Sequence, residues 1–216
     1  MKDSCIVHEA MTGVNQQSPS RKDRARATRM RIVRSAHQMF VERGYEPSTM
    51  ASIAQAAGVA VQTVYFVFHT KAELLQEVCR TAVLGENARP PDEQTWYREL
   101  ERETDAAELL TRFVKNIAPI AERTAPISAV IREVRDPEAL EVYHESERHR
   151  REAYRHTIRL LARDGRLRPD LDEERATEIL MFLAGPQSFL TLVREYGWPL
   201  DTWVTWTAAV LIEQLL

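Results

Sequence analysis

Two glycines divide the first third of this chain into short helical segments, and their positions constrain the fold most. Gly44 follows a segment with apolar residues at helical spacing, and Gly58 follows a second segment that begins after Thr49. Glycine adopts the left-handed conformation that ends many helices, and threonine is a favoured N-cap residue. Because another short segment follows Gly58 almost at once, the pattern predicts a helix-turn-helix.

The segment after Gly58, VAVQTVYFVF, also suits a buried strand, since it is rich in β-branched and aromatic residues. Strong helix signals on both sides favour a third helix instead. In that arrangement the residues that form the core around the turn are Ile53, Ala54, Val59, Val64 and Phe68. The residues that point away from this core are Val61, Gln62, Thr63 and Tyr65. We expect this outward set to face DNA, which explains polar residues inside an apolar run.

Residues 28–75 carry the motifs IVxxAxxxF, GY, TxxxIAxxAGV, TVYxxF and TKAELL in this order. The combination resembles the DNA-binding domain of TetR-family (tetracycline-repressor-like) transcriptional regulators. The resemblance implies that Val61, Gln62 and Thr63 face base edges and that Tyr65 contacts a phosphate. It also implies that the DNA backbone is contacted by Arg29, Thr49 and Lys71.

Two departures from the family pattern affect the third helix. The family commonly has serine or threonine where Ala60 stands, so this chain lacks a side-chain cap there, a loss of about 1 kcal/mol. The family often has lysine or arginine and then glycine where Val61 and Gln62 stand. Base preference therefore does not transfer from other members.

Charge is divided unevenly along the chain. Residues 1–80 have a net charge of +4 and residues 81–216 a net charge of −7, while residues 21–34 hold seven basic groups and one acid. A basic front on an acidic body indicates that the front meets a polyanion. The two cysteines, Cys5 and Cys79, favour a reducing compartment, and neither a signal peptide nor a long apolar run is apparent. We expect a cytoplasmic protein with no membrane partner.

Helical periodicity continues to the end of the chain, so the predicted fold class is all-α. A capping-box pattern at Thr70–Glu73 predicts a fourth helix, and Asp136-Pro137 predicts the start of a long one that runs towards Gly165. A helix over DAAELLTRFVKNIAPIAER is expected to be disturbed at Pro119. The predicted organisation is a disordered basic arm, a helix-turn-helix domain, and a helical domain for ligand binding and dimerisation, at residues 1–23, 24–70 and 71–216.

The C-terminal region predicts an effector pocket and a dimer interface. A helix break at Gly185-Pro186 beside bulky apolar residues favours a cavity for a small apolar or aromatic effector, with the carbonyl of Phe182 as a polar anchor. The candidate pocket residues are Phe113, Ile117, Ile131, Tyr143, Met181, Phe182 and Phe189. The last helix is apolar on two sides, so one side is expected to pair with a second copy of the chain. That side comprises Trp203, Trp206 and Val210.

Three other classes of function are less consistent with the sequence. His149, Glu152 and His156 share one helix face and are a possible metal site, but neighbouring arginines favour a solvated surface. The chain contains no phosphate-binding glycine loop, no H-E-x-x-H and no G-x-S-x-G, so we expect neither an enzyme nor a cofactor. A helical adaptor without DNA affinity would leave the basic segment and Gln62 unexplained. The expected partners are an operator in double-stranded DNA, a small-molecule effector and a second copy of the chain.

Overall fold

The computed structural model describes residues 20–85, 94–163 and 165–216, and this described part of the chain is helical without strands. The all-α prediction is thus confirmed for these residues. The helices are α1 (Arg21–Arg43), α2 (Met50–Ala57), α3 (Val61–Val67), α4 (Lys71–Leu84), α5 (Thr95–Leu100), α6 (Ala106–Ile131), α7 (Pro137–Arg163), α8 (Glu173–Leu183), α9 (Pro186–Phe189) with a π-helical continuation (Leu190–Glu195), and α10 (Leu200–Leu215).

Helix α1 begins earlier than the sequence pattern predicts. Ser20 accepts a hydrogen bond from the Asp23 N–H at 3.1 Å, and the Asp23 carboxylate accepts one from the Ser20 N–H. This capping box starts the helix at Arg21 rather than Arg24, because it satisfies two N-terminal backbone donors. Most of the predicted basic arm, together with Cys5, lies outside the described residues.

The long helices of the C-terminal part have clear start signals. Asp136 caps α7, since its carboxylate accepts the Ala139 N–H at 2.9 Å. Asp105 caps α6 in the same way. Helix α6 runs through both Pro119 and Pro126 to Ile131, so the disturbance predicted at Pro119 does not end it. The short helix α5 was not predicted.

Buried apolar residues form two clusters that share α6 and α7. The N-terminal cluster joins α1–α4 to the end of α6 and the beginning of α7, through residues such as Ile131 and Val142. The C-terminal cluster joins α5, α8, α9 and α10 to the rest of α6 and α7, with Phe113, Tyr154 and Trp203 at its centre. Because two helices enter both clusters, the DNA-binding part is packed directly onto the C-terminal part.

Glu173–Glu195 is the one described stretch long and apolar enough, by length and composition, to cross a membrane. The stretch is broken at Gly185, where α8 ends and α9 begins with Pro186 in its first turn. It packs on α6 and α7 as part of the bundle. Most of its apolar residues are buried or half-buried against the C-terminal cluster, whereas Phe182 is 72% exposed.

Candidate DNA-binding helix and effector cavity

The turn between α2 and α3 has the geometry that the sequence predicts. Gly58 is left-handed with φ +63° and its N–H donates to the carbonyls of Ala54 and Gln55, while the Val59 N–H donates to Ala54 O at 3.0 Å. Thr49 caps α2 through a capping box with Ser52. Because a left-handed backbone costs least without a Cβ, Gly58 sets the direction in which α3 leaves the turn.

Helix α3 buries one side and presents the other. Val64 and Phe68 are buried in the N-terminal cluster, as expected. Gln62 and Tyr65 are exposed, whereas Val61 and Thr63 are half-buried. Ala60 makes no side-chain cap, so α3 starts without the hydrogen bond that serine or threonine would supply. The exposed face is therefore narrower than predicted, but it includes Gln62.

Phe66 is an exposed residue of this face that sequence reasoning missed. Its side chain is 84% exposed, the largest value among the exposed large apolar residues of the described chain. Phe66 follows Gln62 by four residues, so the two share one side of α3. The spacing of four residues from Gln62 is the sequence signal that places Phe66 on the exposed side of α3.

Lys71 is held by the turn that precedes α2. Its Nζ donates to Tyr45 O at 3.0 Å and to Glu46 O at 3.3 Å, and it lies 4.0 Å from the centre of the Tyr45 ring. Burial lowers the pKa of Lys71, while the charges of Asp136 and Glu46 act in the opposite direction. An ammonium group has three donors, so one remains for a phosphate after these two bonds.

Arg29 makes several contacts within the chain. Its guanidinium pairs with Glu77 at 3.3 Å, donates to the carbonyl of Val67 at 3.4 Å, and lies 4.4 Å from the centre of the Phe68 ring. These contacts connect the end of α3 to α1 and α4. The Arg29 side chain is still 41% exposed, and its predicted contact with the DNA backbone stays a prediction.

Glu77 is the buried centre of this ion cluster. Arg80 pairs with the same carboxylate at 2.7 Å, from the next turn of α4. Burial raises the pKa of Glu77, but the hydrogen bonds and charges of Arg80 and Arg29 outweigh burial and hold the pKa below its usual range. Glu77 is therefore an anion that, through Arg29, links three helices.

A cavity of about 1060 Å³ lies between the two apolar clusters. Helices α4, α6 and α7 form its long walls, and Arg29 and Phe68 of the DNA-binding part close one end. Three of the predicted pocket residues line it: Phe113, Ile117 and Ile131. A second cavity of about 360 Å³ lies beside it and is lined by Ile131 together with Tyr143, Met181 and Phe182.

Two predicted pocket residues have other surroundings. Phe182 touches the smaller cavity but is 72% exposed, so it lies mainly on the outer surface of α8. Phe189 is buried against Trp203, with ring centres 5.4 Å apart, and lines neither described cavity. Phe189 is therefore a core residue, since its ring is enclosed by the chain itself.

The helix break at Gly185 and Pro186 is present, but carbonyls beside it are already bonded. The Tyr154 hydroxyl donates to Ala184 O at 3.0 Å, and Arg150 Nη1 donates to Met181 O at 3.3 Å. A side chain at position 185 would collide with Met181 O and Arg150, which explains the glycine. The break is thus held by two bonds from α7, and the ligand anchor predicted at the Phe182 carbonyl stays a prediction.

The predicted dimer face divides between core and surface. Trp203 has 0% exposure, and its Nε1 donates to Ser188 Oγ at 2.9 Å, so it is a core residue instead of an interface residue. Trp206 is 37% exposed and rests edge-on against Trp198. Val210 is half-buried. Trp206 and Val210 thus remain available to a partner.

Two residues of the alternative metal site, Glu152 and His156, contact different partners. Glu152 pairs with Arg159 at 3.0 Å, while His156 stacks on Tyr97 with ring centres 5.1 Å apart and lies 3.5 Å from Glu101. Within the described residues, no three histidine, cysteine, aspartate or glutamate side chains are grouped as metal ligands.

With this geometry established, comparison with known proteins identifies the N-terminal part. The family model described as bacterial regulatory proteins, tetR family, matches residues 32–78. Residues 32–78 of this chain are therefore similar to the N-terminal domain of the TetR family. The match spans half of α1, all of α2 and α3, and the first half of α4, so it confirms the resemblance carried by the motifs.

Known regulators are similar to this chain in sequence over a short segment. The HTH-type transcriptional regulator TtgR of Pseudomonas putida is 42% identical over 55 residues, 26% of this chain and 26% of that protein. The HTH-type transcriptional repressor BepR of Brucella suis is 40% identical over 57 residues, 26% of this chain and 27% of that protein. The sequence match therefore spans about a quarter of each relative's length.

Solved structures extend the similarity in fold. FadR from Bacillus subtilis, in complex with stearoyl-CoA, has a TM-score of 0.66 at 17% identity, covering 87% of this chain and 99% of FadR. NalD of Pseudomonas aeruginosa, the secondary repressor of the MexAB-OprM multidrug efflux pump, has a TM-score of 0.65 at 22% identity, covering 89% of this chain and 98% of NalD. This chain thus shares their fold.

Proposed function

We propose that this chain is a cytoplasmic, ligand-responsive transcriptional repressor that binds a near-palindromic operator as a homodimer. In this proposal residues 24–70 bind DNA and residues 71–216 bind the effector and form the dimer. The observation that carries the proposal is the outward face of α3, where Gln62, Tyr65 and Phe66 are exposed beside a basic α1. NalD is described as a repressor, which supports the sign of regulation.

The exposed face of α3 suits the major groove of DNA. Glutamine pairs with adenine through two hydrogen bonds, and an apolar side chain contacts the methyl group of thymine. Exposed basic residues at the start of α1 supply the charge that attracts the phosphate backbone. Lys71, at the first position of α4, has one N–H left for a phosphate. Base reading and phosphate contact are thus assigned to different residues.

Replacing Gln62 with alanine is expected to weaken operator binding by about 1–3 kcal/mol, mainly at one base position of each half-site.

Replacing Lys71 with alanine should weaken binding to all duplexes and lower the salt dependence by about one ion-equivalent. Both variants are measured against a duplex selected from genomic fragments and against random duplex, at several salt concentrations. Equal weakening of both duplexes by Gln62→Ala would remove α3 as the reading helix.

Replacing Phe66 with alanine is expected to leave thermal stability unchanged, because an exposed ring makes few contacts within the chain. Operator affinity should fall by up to about 2 kcal/mol, the value of burying such a side chain. Parallel melting and operator titrations separate the two effects. A large loss of stability without a loss of affinity would place Phe66 in an intramolecular role.

The large cavity is the proposed effector site. Its volume of about 1060 Å³ lies at the upper end of the usual range for small-molecule sites, so it accepts a larger ligand than the sequence suggested. FadR, which shares the fold, was crystallised with stearoyl-CoA, a ligand with a long apolar chain. An effector releases DNA only if it binds the DNA-free form more tightly than the DNA-bound form. Ligands that raise the melting temperature but leave operator affinity unchanged would contradict the switch.

The proposed dimer interface lies on α8, the π-helical segment and α10. Phe182 and Trp206 are exposed there, and Met181, Leu190 and Val193 are only half-buried within the described chain. A large exposed apolar surface marks an interaction site. A second copy suits it because one helix-turn-helix reads only a few base pairs, and two-fold pairing doubles the contacts.

A further inference from the structure

The described lining of the large cavity contains more carboxylates than guanidinium groups. The carboxylates are Glu73, Glu77, Glu145 and Glu147, and the guanidinium groups are Arg29, Arg80 and Arg150. Each arginine is already in an ion pair: Arg29 and Arg80 with Glu77, and Arg150 with Glu147. The described lining thus has one carboxylate more than it has guanidinium groups, and it also contains His149.

Glu145 and Glu73 are the lining carboxylates that the three lining arginines do not pair with. Glu145 accepts a hydrogen bond of 2.8 Å from the neutral amide of Gln76, which joins α7 to α4. Glu73 lies 3.2 Å from His69 on the surface side of α4 and also accepts the His69 N–H. The Gln76–Glu145 contact is exposed to solvent, and a carboxylate whose partner is a neutral amide still gains from a nearby cation.

The cavity is also divided along its length. Ile127 and Ile131 of α6 line the cavity and belong to the N-terminal cluster, which also contains Leu75 beside Gln76 and Val142 about one turn before Glu145. The other end lies in the C-terminal cluster and has aromatic walls, where Phe113 meets Tyr154 edge-on with ring centres 5.1 Å apart. Trp96 and Tyr97 of α5 line the cavity as well. A ligand thus meets Glu145 in the part next to the N-terminal cluster and the rings of Phe113 and Tyr154 in the part next to the C-terminal cluster.

We propose that the effector is an apolar or aromatic organic cation whose positive charge lies at Glu145 and whose apolar body extends towards Phe113. The proposal rests on the function proposed above and specifies the ligand class of the same cavity. A cation that pairs with Glu145 draws this carboxylate away from Gln76 and weakens the contact between α7 and α4. Because α4 follows α3 directly and carries Glu77, which holds Arg29, this change reaches the recognition helix.

The test uses two tetrahedral ions that carry the same four phenyl rings and opposite charges, tetraphenylphosphonium and tetraphenylborate. Calorimetric titration of the full chain should show the phosphonium bound at least about tenfold more tightly than the borate, as expected for one favourable charge contact. Glu145→Gln should remove most of that preference. Glu152→Gln is the matched control, since Glu152 lies on the same helix outside the cavity lining.

A second variant keeps the test independent of any single loss of stability. Gln76→Lys gives Glu145 a permanent cationic partner and should likewise remove the preference for the phosphonium. Equal binding of the two ions, a preference for the borate, binding of neither ion, or equal effects of Glu145→Gln and Glu152→Gln would each overturn the ligand class. Duplex binding by the same proteins is measured separately, so sequence-specific DNA binding would still support the regulator if the ligand class fails.

Discussion

Replacing Trp203 with alanine is expected to lower the free energy of unfolding by about 3–5 kcal/mol, the usual cost of removing a large buried aromatic ring. Trp203 has 0% exposure, packs edge-on against Phe189, and donates a hydrogen bond to Ser188. The variant loses the ring contacts and leaves a cavity between α9 and α10. Denaturant unfolding followed by circular dichroism measures the loss.

Trp206→Ala is the matched control for this prediction. Trp206 is partly exposed on the same helix, so its removal should cost little within one chain. If Trp206 lies in the dimer interface, its effect should grow as the protein is diluted, whereas the effect of Trp203→Ala should not depend on concentration. A concentration-dependent loss for Trp203→Ala, with none for Trp206→Ala, would return Trp203 to the interface.

Replacing both Trp206 and Val210 with glutamate is expected to convert the protein to monomers. Operator affinity should then fall by about a thousandfold or more, towards the level of non-specific binding. Two carboxylates placed opposite their copies across a two-fold axis lose water and repel each other. Sedimentation and operator titration at low micromolar concentration measure the two effects.

Leu140→Glu provides the control for the dimer prediction. Leu140 is an apolar residue of α7 with exposure similar to that of Trp206, and it lies outside the proposed interface. The Leu140 variant should remain dimeric. A double variant at Trp206 and Val210 that also stayed dimeric would place the interface on another surface.

Much of the DNA-binding domain was predictable because its signals are local. Thr49 and Ser52 form their capping box within one turn, Gly58 ends α2 with bonds to Ala54 and Gln55, and Thr70 caps α4. Each of these interactions joins residues no more than about four positions apart. Helical periodicity then places Val64 and Phe68 on the buried side of α3 and Gln62 on the exposed side.

The candidate pocket was predictable only in part. Periodicity correctly indicated that Phe113, Ile117 and Phe189 lie on apolar faces, but an apolar face lines a cavity or fills a core depending on which helix packs against it. Phe113 borders the large cavity although it also packs against Tyr154 of α7, whereas Phe189 is covered by Trp203 of α10. Nothing in the spacing of these residues distinguishes the two cases.

The sequence by itself determined the all-α class, the helix-turn-helix and its exposed face, since caps, glycines and periodicity act within a few residues. Only the tertiary structure decided that Arg29 contacts Val67 and Glu77, that Trp203 belongs to the core, and that Glu145 and Phe113 line the same cavity. These features join residues far apart in the chain, 38 positions in the case of Arg29 and Val67. Their partners are selected by the packing of whole helices, which no local pattern specifies.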